Sequence, residues 1–339
     1  MKSVLLIGTG GVGTIAGLSL TLGGQANVTA VVRSAYDRVI CEGYKISSPD
    51  HGNHSGWRPY RVVRTIDEAV NSETPVVYDY VVVSLKALPD VYCIEEMITP
   101  AVKLSHTTIV LIQNGIGIEE PLKKAYPYNV VLSGVSMIGC QNVGAVVSQF
   151  EKDRLIVGAF LPESAPEATN QSAHAIAKEF TEIYGTQFAE YTENITFYRW
   201  RKLVYNATIN PICALTLLDT GRCHLSGLSK NLTFPAMQEV IAIAAAHNHI
   251  FPDDIADSML SSDDGLYYRP SMMLDVVYNR PFELEAILGN TIKAAQSKGI
   301  SCPTLSLLYT LLKGVLWRVK ETQGMVQAPE EGVKWAAYS

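Results

Sequence analysis

Along the first half of the chain, short runs of β-branched and aliphatic residues alternate with longer stretches whose apolar positions recur every three or four residues. The first pattern builds strands and the second builds amphipathic helices. Val4 to Ile7, Val28 to Val32, Tyr80 to Leu85, Thr108 to Ile112 and Val130 to Ser133 are the predicted strands. The helical stretches between them predict an α/β unit with a mostly parallel sheet covered by helices. Two later runs, Val143 to Phe150 and Arg154 to Phe160, lie close enough to pair as an antiparallel hairpin around Glu151-Lys152-Asp153 at the sheet edge. The segment from Asp50 to Trp57 reads as a polar loop.

From about Thr192 onward the strand-like runs nearly vanish. Helical patterns take over at Trp200 to Leu218, Phe234 to His249, Phe282 to Lys298 and Pro303 to Lys320. The change predicts two domains, residues 1–190 and an all-helical unit over residues 191–339, with no internal repeat. The tail after Thr322 offers no pattern.

Composition narrows the class. At 339 residues, with 47% hydrophobic and 18% charged residues, the chain has the profile of a globular enzyme and not of a disordered polar chain. A formal net charge of -6 gives no general attraction to nucleic acid or to an anionic membrane, so an anionic ligand must be held by local basic groups. Lys, Arg, Asp, Pro or Gly interrupts each apolar run before it reaches the length of a membrane span. The amino terminus passes at once into an apolar strand without a signal-peptide pattern, which makes the cytoplasm the expectation. The six cysteines, Cys41, Cys93, Cys140, Cys213, Cys223 and Cys302, are scattered and read as reduced thiols. His247 and His249, two apart in an Ala-rich helical stretch, are expected on different sides of a helix, unlike a metal-binding pair. No metal is expected.

The chemistry begins at the first strand. Gly8-Thr9-Gly10-Gly11-Val12-Gly13 is a G-x-G-x-x-G run between a strand and a helix, the arrangement of a Rossmann dinucleotide-binding turn. Gly8 permits the turn, Gly10 lets the backbone approach a pyrophosphate, and Gly13 lets helix and strand pack closely. At the end of the second strand, where NAD enzymes place an acid against the adenosine ribose, the chain has Arg33-Ser34, and no Asp or Glu lies between Gln25 and Tyr36. Arg33, assisted by Ser34, can bond a 2′-phosphate, which favours NADPH. Lys86 and Asn114, of Gln113-Asn114-Gly115, end the next strands at the edge where such sheets bind ligands. Further on, Lys202, Asn206 and Asn210 fall at i, i+4 and i+8, along one face of the predicted helix.

Taken in order, these residues resemble the ketopantoate reductase (2-dehydropantoate 2-reductase) family. The resemblance runs from the Gly8 loop through Lys86, Gln113-Asn114-Gly115 and the Lys202 helix. It continues into Ser271-Met272-Met273-Leu274-Asp275, Asn279-Arg280-Pro281-Phe282-Glu283 and Gly299-Ile300-Ser301-Cys302-Pro303. It implies a doubly wound Rossmann domain, a helical domain and a cleft between them, with NADPH as cofactor. It also implies reduction of ketopantoate to pantoate, a place in pantothenate biosynthesis, and a monomer or homodimer. By motif matching it carries catalytic roles onto Lys202 and Glu283, and substrate or cofactor contacts onto Asn114, Asn206, Asn210 and Ser271. Glu283 also falls within reach of the cofactor in this reading. The residue types suit the reaction: Lys202 can polarise and protonate the keto oxygen, Glu283 can hold the new hydroxyl, Ser271 can bind the carboxylate, and the amides can orient. Two departures bear on substrate identity. The residue before Glu283 is Phe282 where the family has Thr, and Tyr267-Tyr268-Arg269-Pro270 replaces the small polar residues that lead into the Ser. A same-fold reductase of another 2-oxo acid or a bulkier ketone, or a non-catalytic NADPH-binding regulator, are the competing readings.

Overall fold

The computed structural model of the chain describes residues 1–71, 75–161 and 167–332. The last stretch of the predicted second domain, 333–339, lies outside the described residues. The chain divides into two compact units, Met1–Arg199 and Trp200–Ser339. The division falls inside the helix Ile195–Asn206, further along than the point where the strand pattern stops. The reason is local: the first turn of this helix packs Ile195 against Val135 and Ile156 of the first unit.

Twelve strands lie among the described residues of the first unit. They are β1 (Lys2–Ile7), β2 (Ala26–Val31), β3 (Tyr44–Ser48), β4 (Gly52–Trp57), β5 (Arg61–Val63) and β6 (Tyr80–Val83). The others are β7 (Thr108–Leu111), β8 (Val131–Ser136), β9 (Cys140–Val143), β10 (Val146–Gln149), β11 (Leu155–Ala159) and β12 (Ala189–Tyr191). Eight form one sheet in the order β12-β11-β8-β7-β6-β1-β2-β5, parallel throughout except where β11 runs against β8. The chain leaves β1 in one direction to β2 and later returns to its other side with β6, so strand order reverses between β1 and β6. In open α/β sheets that reversal opens the ligand crevice at the strands' carboxyl ends.

Alternate residues of the central strands enter two separate cores. Leu5, Ile7, Val81, Val83, Ile109 and Leu111 fill one, while Leu6, Val82 and Val110 fill the other. Because both faces are covered, the strands read as unbroken apolar runs and not as alternating ones. On the second face lie the helix Gly11–Leu22, through Ile15, Leu18 and Leu20, and the helix Glu167–Tyr184, through Ala173, Ala177 and Phe180.

The expected hairpin around Glu151-Lys152-Asp153 is not formed. Val143 and Val146 pair directly, and the turn between them, Gly144-Ala145, has φ of 55° and 69°. Two positive φ values in a two-residue loop give the turn that matches strand twist, so the turn falls at the head of the predicted run and Val146–Gln149 pairs back on the preceding Cys140–Val143. β10 then joins β9 and β3 in a second sheet, order β4-β3-β10-β9, while β11 returns to the main sheet beside β8. The polar stretch from Asp50 to Trp57 is likewise largely strand, β4, paired antiparallel to β3. Its polarity serves a buried network. His51 Nε2 lies 2.9 Å from Asp153 Oδ2, the Tyr184 hydroxyl donates to the same carboxylate, and Asp50 accepts from the Asp153 amide at 2.7 Å.

Among its described residues the second unit has no strand, and no helix of the described chain is long and apolar enough to cross a membrane. The run predicted as one helix from Trp200 to Leu218 breaks in two. Ile195–Asn206 ends, Thr208 leaves helical geometry with φ −125° and ψ −66°, and Ile209–Thr216 begins anew. Pro211 is the cause: it has no N–H for the carbonyl of Ala207 and its ring would collide with that carbonyl in a continuous helix. The helix from Phe234 also stops early, at Ala246. Asn248 is left-handed, with φ 65°, and turns the chain back. His247 and His249 therefore both pack on Trp200, at ring-centroid distances of 5.6 and 6.2 Å, and not on opposite sides of a helix.

Candidate active site

The loop after β1 has the shape a pyrophosphate needs. Gly8 has φ +100°, and a Cβ there would stand 2.5 Å from the Leu85 amide nitrogen, so only glycine fits. A Cβ on Gly13 would stand 1.9 Å from the Gly8 carbonyl oxygen, which ties strand to helix with no side chain between them. At Gly10 nothing lies within 4 Å of where a Cβ would be, so the backbone there is open to an approaching group. The helix Gly11–Leu22 starts at this point with no acidic side chain in its first turn, leaving its positive end uncompensated for an anion. The loop is fixed from the second sheet: Asn142 of β9 donates to the Thr9 carbonyl at 2.8 Å, and a Cβ on Gly11 would meet the Cys140 carbonyl at 2.9 Å. Ser84, one residue past β6, donates to the Gly8 carbonyl at 2.5 Å. Thr9 and Val12 are partly exposed. These residues fit a dinucleotide.

The other predicted residues of the first unit follow from the strand order. β7, β6, β1 and β2 are adjacent and parallel, so the residues after each strand end at one edge. They are Asn114 after β7, Lys86 after β6, the glycine loop after β1, and Arg33 with Ser34 after β2. Lys86 and Asn114 are half-buried, while Arg33 and Ser34 are exposed. Asp37, the nearest acid after β2, is paired with Arg64 at 2.5 Å, and the Arg64 guanidinium lies 4.0 Å from the Tyr36 ring centroid.

The Asn114 turn is held by residues that sequence reasoning missed. The Arg199 guanidinium donates to the Gln113 carbonyl at 2.9 Å, the Gly115 carbonyl at 3.0 Å and the Gly134 carbonyl at 3.3 Å, and so grips the backbone on both sides of Asn114. Its charge is balanced by a close ion pair with Glu119, whose carboxylate also accepts from Ser133 at 2.7 Å. Gln113 contributes its own amide, which donates to the Leu85 carbonyl at 2.7 Å. Arg199 stands in an apparently ordinary aromatic and basic helix start. The one signal in the sequence is Glu119 directly after the apolar Ile116-Gly117-Ile118, a charge that burial would force to find a partner.

In the second unit, Lys202 and Asn206 lie one turn apart on Ile195–Asn206, with Lys202 half-buried and Asn206 buried. Asn210 is not on that helix, as the stripe predicted, but on Ile209–Thr216, where it is 3% exposed. This second helix packs against Ser271–Val277, which starts with the exposed Ser271, and against Pro303–Thr322. Glu283 is buried just ahead of the π-helical turn Glu285–Gly289, and its carbonyl accepts from the Ile287 amide at 3.1 Å. Phe282 beside it is fully buried, and Tyr267 packs beneath the Arg222 guanidinium at 4.8 Å. Chemically the second unit carries an ammonium, a carboxylate, two buried amides and a hydroxyl, a set able to bind and protonate a keto acid. Among the described residues no group of three or more His, Cys, Asp or Glu is disposed to hold a metal ion.

Comparison with known proteins gives consistent matches. Residues 4–162 match the family described as Ketopantoate reductase PanE/ApbA, and residues 194–316 match its C-terminal part, described as Ketopantoate reductase PanE/ApbA C terminal. The chain is 36% identical to the uncharacterized protein YDL144C of Saccharomyces cerevisiae, over 98% of each. It is 33% identical to 2-dehydropantoate 2-reductase from Methylococcus capsulatus, whose crystal structure it matches with a TM-score of 0.75, covering 94% of this chain and 97% of that one. The fold alone is shared with D-mandelate dehydrogenase in its structure with NADH and anilino(oxo)acetate, at 19% identity and a TM-score of 0.76, covering 94% of this chain and all of the other.

Proposed function

The chain belongs to the ketopantoate reductase family, and from that premise we propose that it reduces 2-dehydropantoate to pantoate with NADPH. The observation that carries the reading is the open backbone at Gly10, flanked by two glycines that tolerate no side chain, at the point where strand order reverses. Gly8 to Gly13 hold the pyrophosphate, Arg33 and Ser34 the 2′-phosphate, and Lys86 and Asn114 the nicotinamide end. Two features support NADPH over NADH: Arg33 is exposed after β2, and Asp37 is occupied by Arg64.

When bound, the cofactor supplies the hydride that reaches the keto carbon. Lys202 polarises the keto oxygen as an ammonium and donates its proton to the alkoxide as charge develops, a contribution of roughly 10²–10⁴-fold. Glu283 accepts a hydrogen bond from the hydroxyl so formed and contacts the cofactor end. Ser271 donates to the substrate carboxylate, while Asn206, Asn210 and Asn114 orient the carbonyl, since each amide both donates and accepts.

A second reading, reduction of a different 2-oxo acid or a bulkier ketone on the same scaffold, is favoured by the aromatic residues at Phe282 and Tyr267. Purified protein assayed by NADPH absorbance against ketopantoate and a panel of 2-oxo acids separates the two. Fastest turnover with ketopantoate is the expected result, and negligible turnover of ketopantoate beside fast turnover of another acid rejects it.

A further inference from the structure

Two thiols in the second unit are not among the residues assigned to the reduction. Cys213 lies on Ile209–Thr216 and Cys223 on the next helix, Thr220–Leu225, with their sulfur atoms 3.7 Å apart. The turn joining the helices is well defined. Leu217 is left-handed at φ 57°, its amide donates to the Cys213 carbonyl at 2.8 Å, and the Asp219 carboxylate caps the second helix by accepting from the Arg222 amide at 2.8 Å. Both thiols are buried, at 1% and 4% exposure, yet both line a cavity of about 170 Å³. The lining includes Leu225, Leu266 and Tyr267, all exposed, so a small solute has a way in.

From this geometry we infer that Cys213 and Cys223 form a dithiol site that a hydroperoxide entering the cavity oxidises to a disulfide. A disulfide needs its sulfurs about 2.05 Å apart, so the pair must close by less than the width of an atom. The two thiols are also unequal. Hydrogen bonding from Cys213 and from the Thr216 hydroxyl, 4.0 Å away, holds the Cys223 thiol below the ordinary thiol range, against the opposing effect of burial. Cys213 is held above that range by the same contact and by burial. Cys223 is thus the nucleophile and Cys213 the resolving thiol.

The steps balance. The Cys223 thiolate attacks one peroxide oxygen, the O–O bond breaks, and a sulfenic acid forms as the other oxygen leaves and becomes water. The Cys213 sulfur then attacks the sulfenic sulfur, the S–O bond breaks, and a second water departs with the Cys213 proton. Two thiols are oxidised and one hydrogen peroxide is reduced to two waters.

The first arm of the test uses the full chain without substitution. Limiting hydrogen peroxide is added to the folded protein, remaining thiols are alkylated after denaturation, and the peptides are mapped by mass spectrometry with and without dithiothreitol. The expected result is a reducible Cys213–Cys223 cross-link that forms before the exposed Cys41 is modified. Modification of Cys41 while Cys213 and Cys223 remain free thiols overturns the inference. In a second arm, Cys213→Ser should trap Cys223 as a sulfenic acid captured by dimedone, and Cys223→Ser should leave Cys213 reduced. Oxidation of Cys213 at the parent rate in Cys223→Ser overturns the assigned order of attack.

Discussion

Arg199 and Glu119 form an ion pair sealed inside the first unit, their side chains 4% and 2% exposed, and the same guanidinium holds the carbonyls on either side of Asn114. Removing one member of a buried pair leaves the other charge without compensation, which costs about 3–5 kcal/mol. Arg199→Ala is therefore expected to lose that much stability in urea unfolding. Arg199→Lys keeps the charge but lacks the planar fork that reaches several carbonyls, and should fold with a raised KM and lowered kcat. Parent stability in Arg199→Ala would show that the pair contributes nothing to holding the Asn114 turn.

The glycine loop separates fold from function within six residues. Gly13→Ala puts a methyl group 1.9 Å from the Gly8 oxygen, an overlap that backbone cannot absorb, and should cost at least about 1–3 kcal/mol. Gly10→Ala meets no atom of the protein and should leave stability within about 0.5 kcal/mol of the parent. In the proposed binding mode its methyl group meets the pyrophosphate, so cofactor affinity should fall steeply. Calorimetry beside cofactor titration reads both quantities, and unaltered cofactor binding by Gly10→Ala would remove the loop from the site.

The geometry of the glycine loop could be read from sequence because the G-x-G-x-x-G spacing encodes backbone conformation, and backbone conformation is what glycine specifies. The parallel sheet was legible for a similar reason, since strands covered on both faces must be apolar throughout. What escaped depended on single residues acting against a period. Gly144-Ala145 turns the Val146–Gln149 strand back onto Cys140–Val143 and away from Arg154 to Phe160, and Pro211 cuts one helical run into two helices, moving Asn210 off the Lys202 helix. The Arg199–Glu119 pair escaped because its partners are far apart in the chain and neither lies on a recognisable motif. Polar residues from Asp50 to His54 misled in the opposite sense, since a buried hydrogen-bonded network has the composition of a surface loop.

Arg33 decides between the two nicotinamide cofactors if its guanidinium meets a 2′-phosphate. A charge-assisted hydrogen bond contributes about 1.5–3 kcal/mol, so Arg33→Ala should weaken NADPH roughly tenfold to hundredfold and leave NADH almost unchanged. Fluorescence titration with each cofactor measures the difference. An equal loss for both cofactors excludes the phosphate contact.

Lys202 is the proton donor of the proposed reduction, and its removal should act on chemistry more than on binding. Lys202→Ala is expected to lower turnover by roughly 10²–10⁴-fold while NADPH affinity stays near the parent value. Lys202→Arg keeps the charge, but a guanidinium does not release its proton near neutral pH, so it should not restore turnover. Parent-like turnover in either variant excludes the lysine as general acid.

The stability of the second unit should depend on pH through His249. Burial, with the nearby His247 charge adding to it, lowers the His249 pKa below its ordinary value of 6.5, and its ring packs against Trp200. In the unfolded chain the same ring titrates normally, so in mild acid the unfolded state binds more protons than the folded state. By linkage, stability then rises with pH across that window. The contribution of a neutral His249 is complete above about pH 6.5 and is lost as pH falls through the lowered folded value. His249→Gln keeps a polar ring-sized group without the titration, so its midpoint in urea should change less between neutral and mildly acidic pH than that of the parent. Tryptophan fluorescence follows the transition directly, because Trp200 lies against both histidines. Equal pH dependence in parent and variant would show that the burial of His249 does not govern the acid limb.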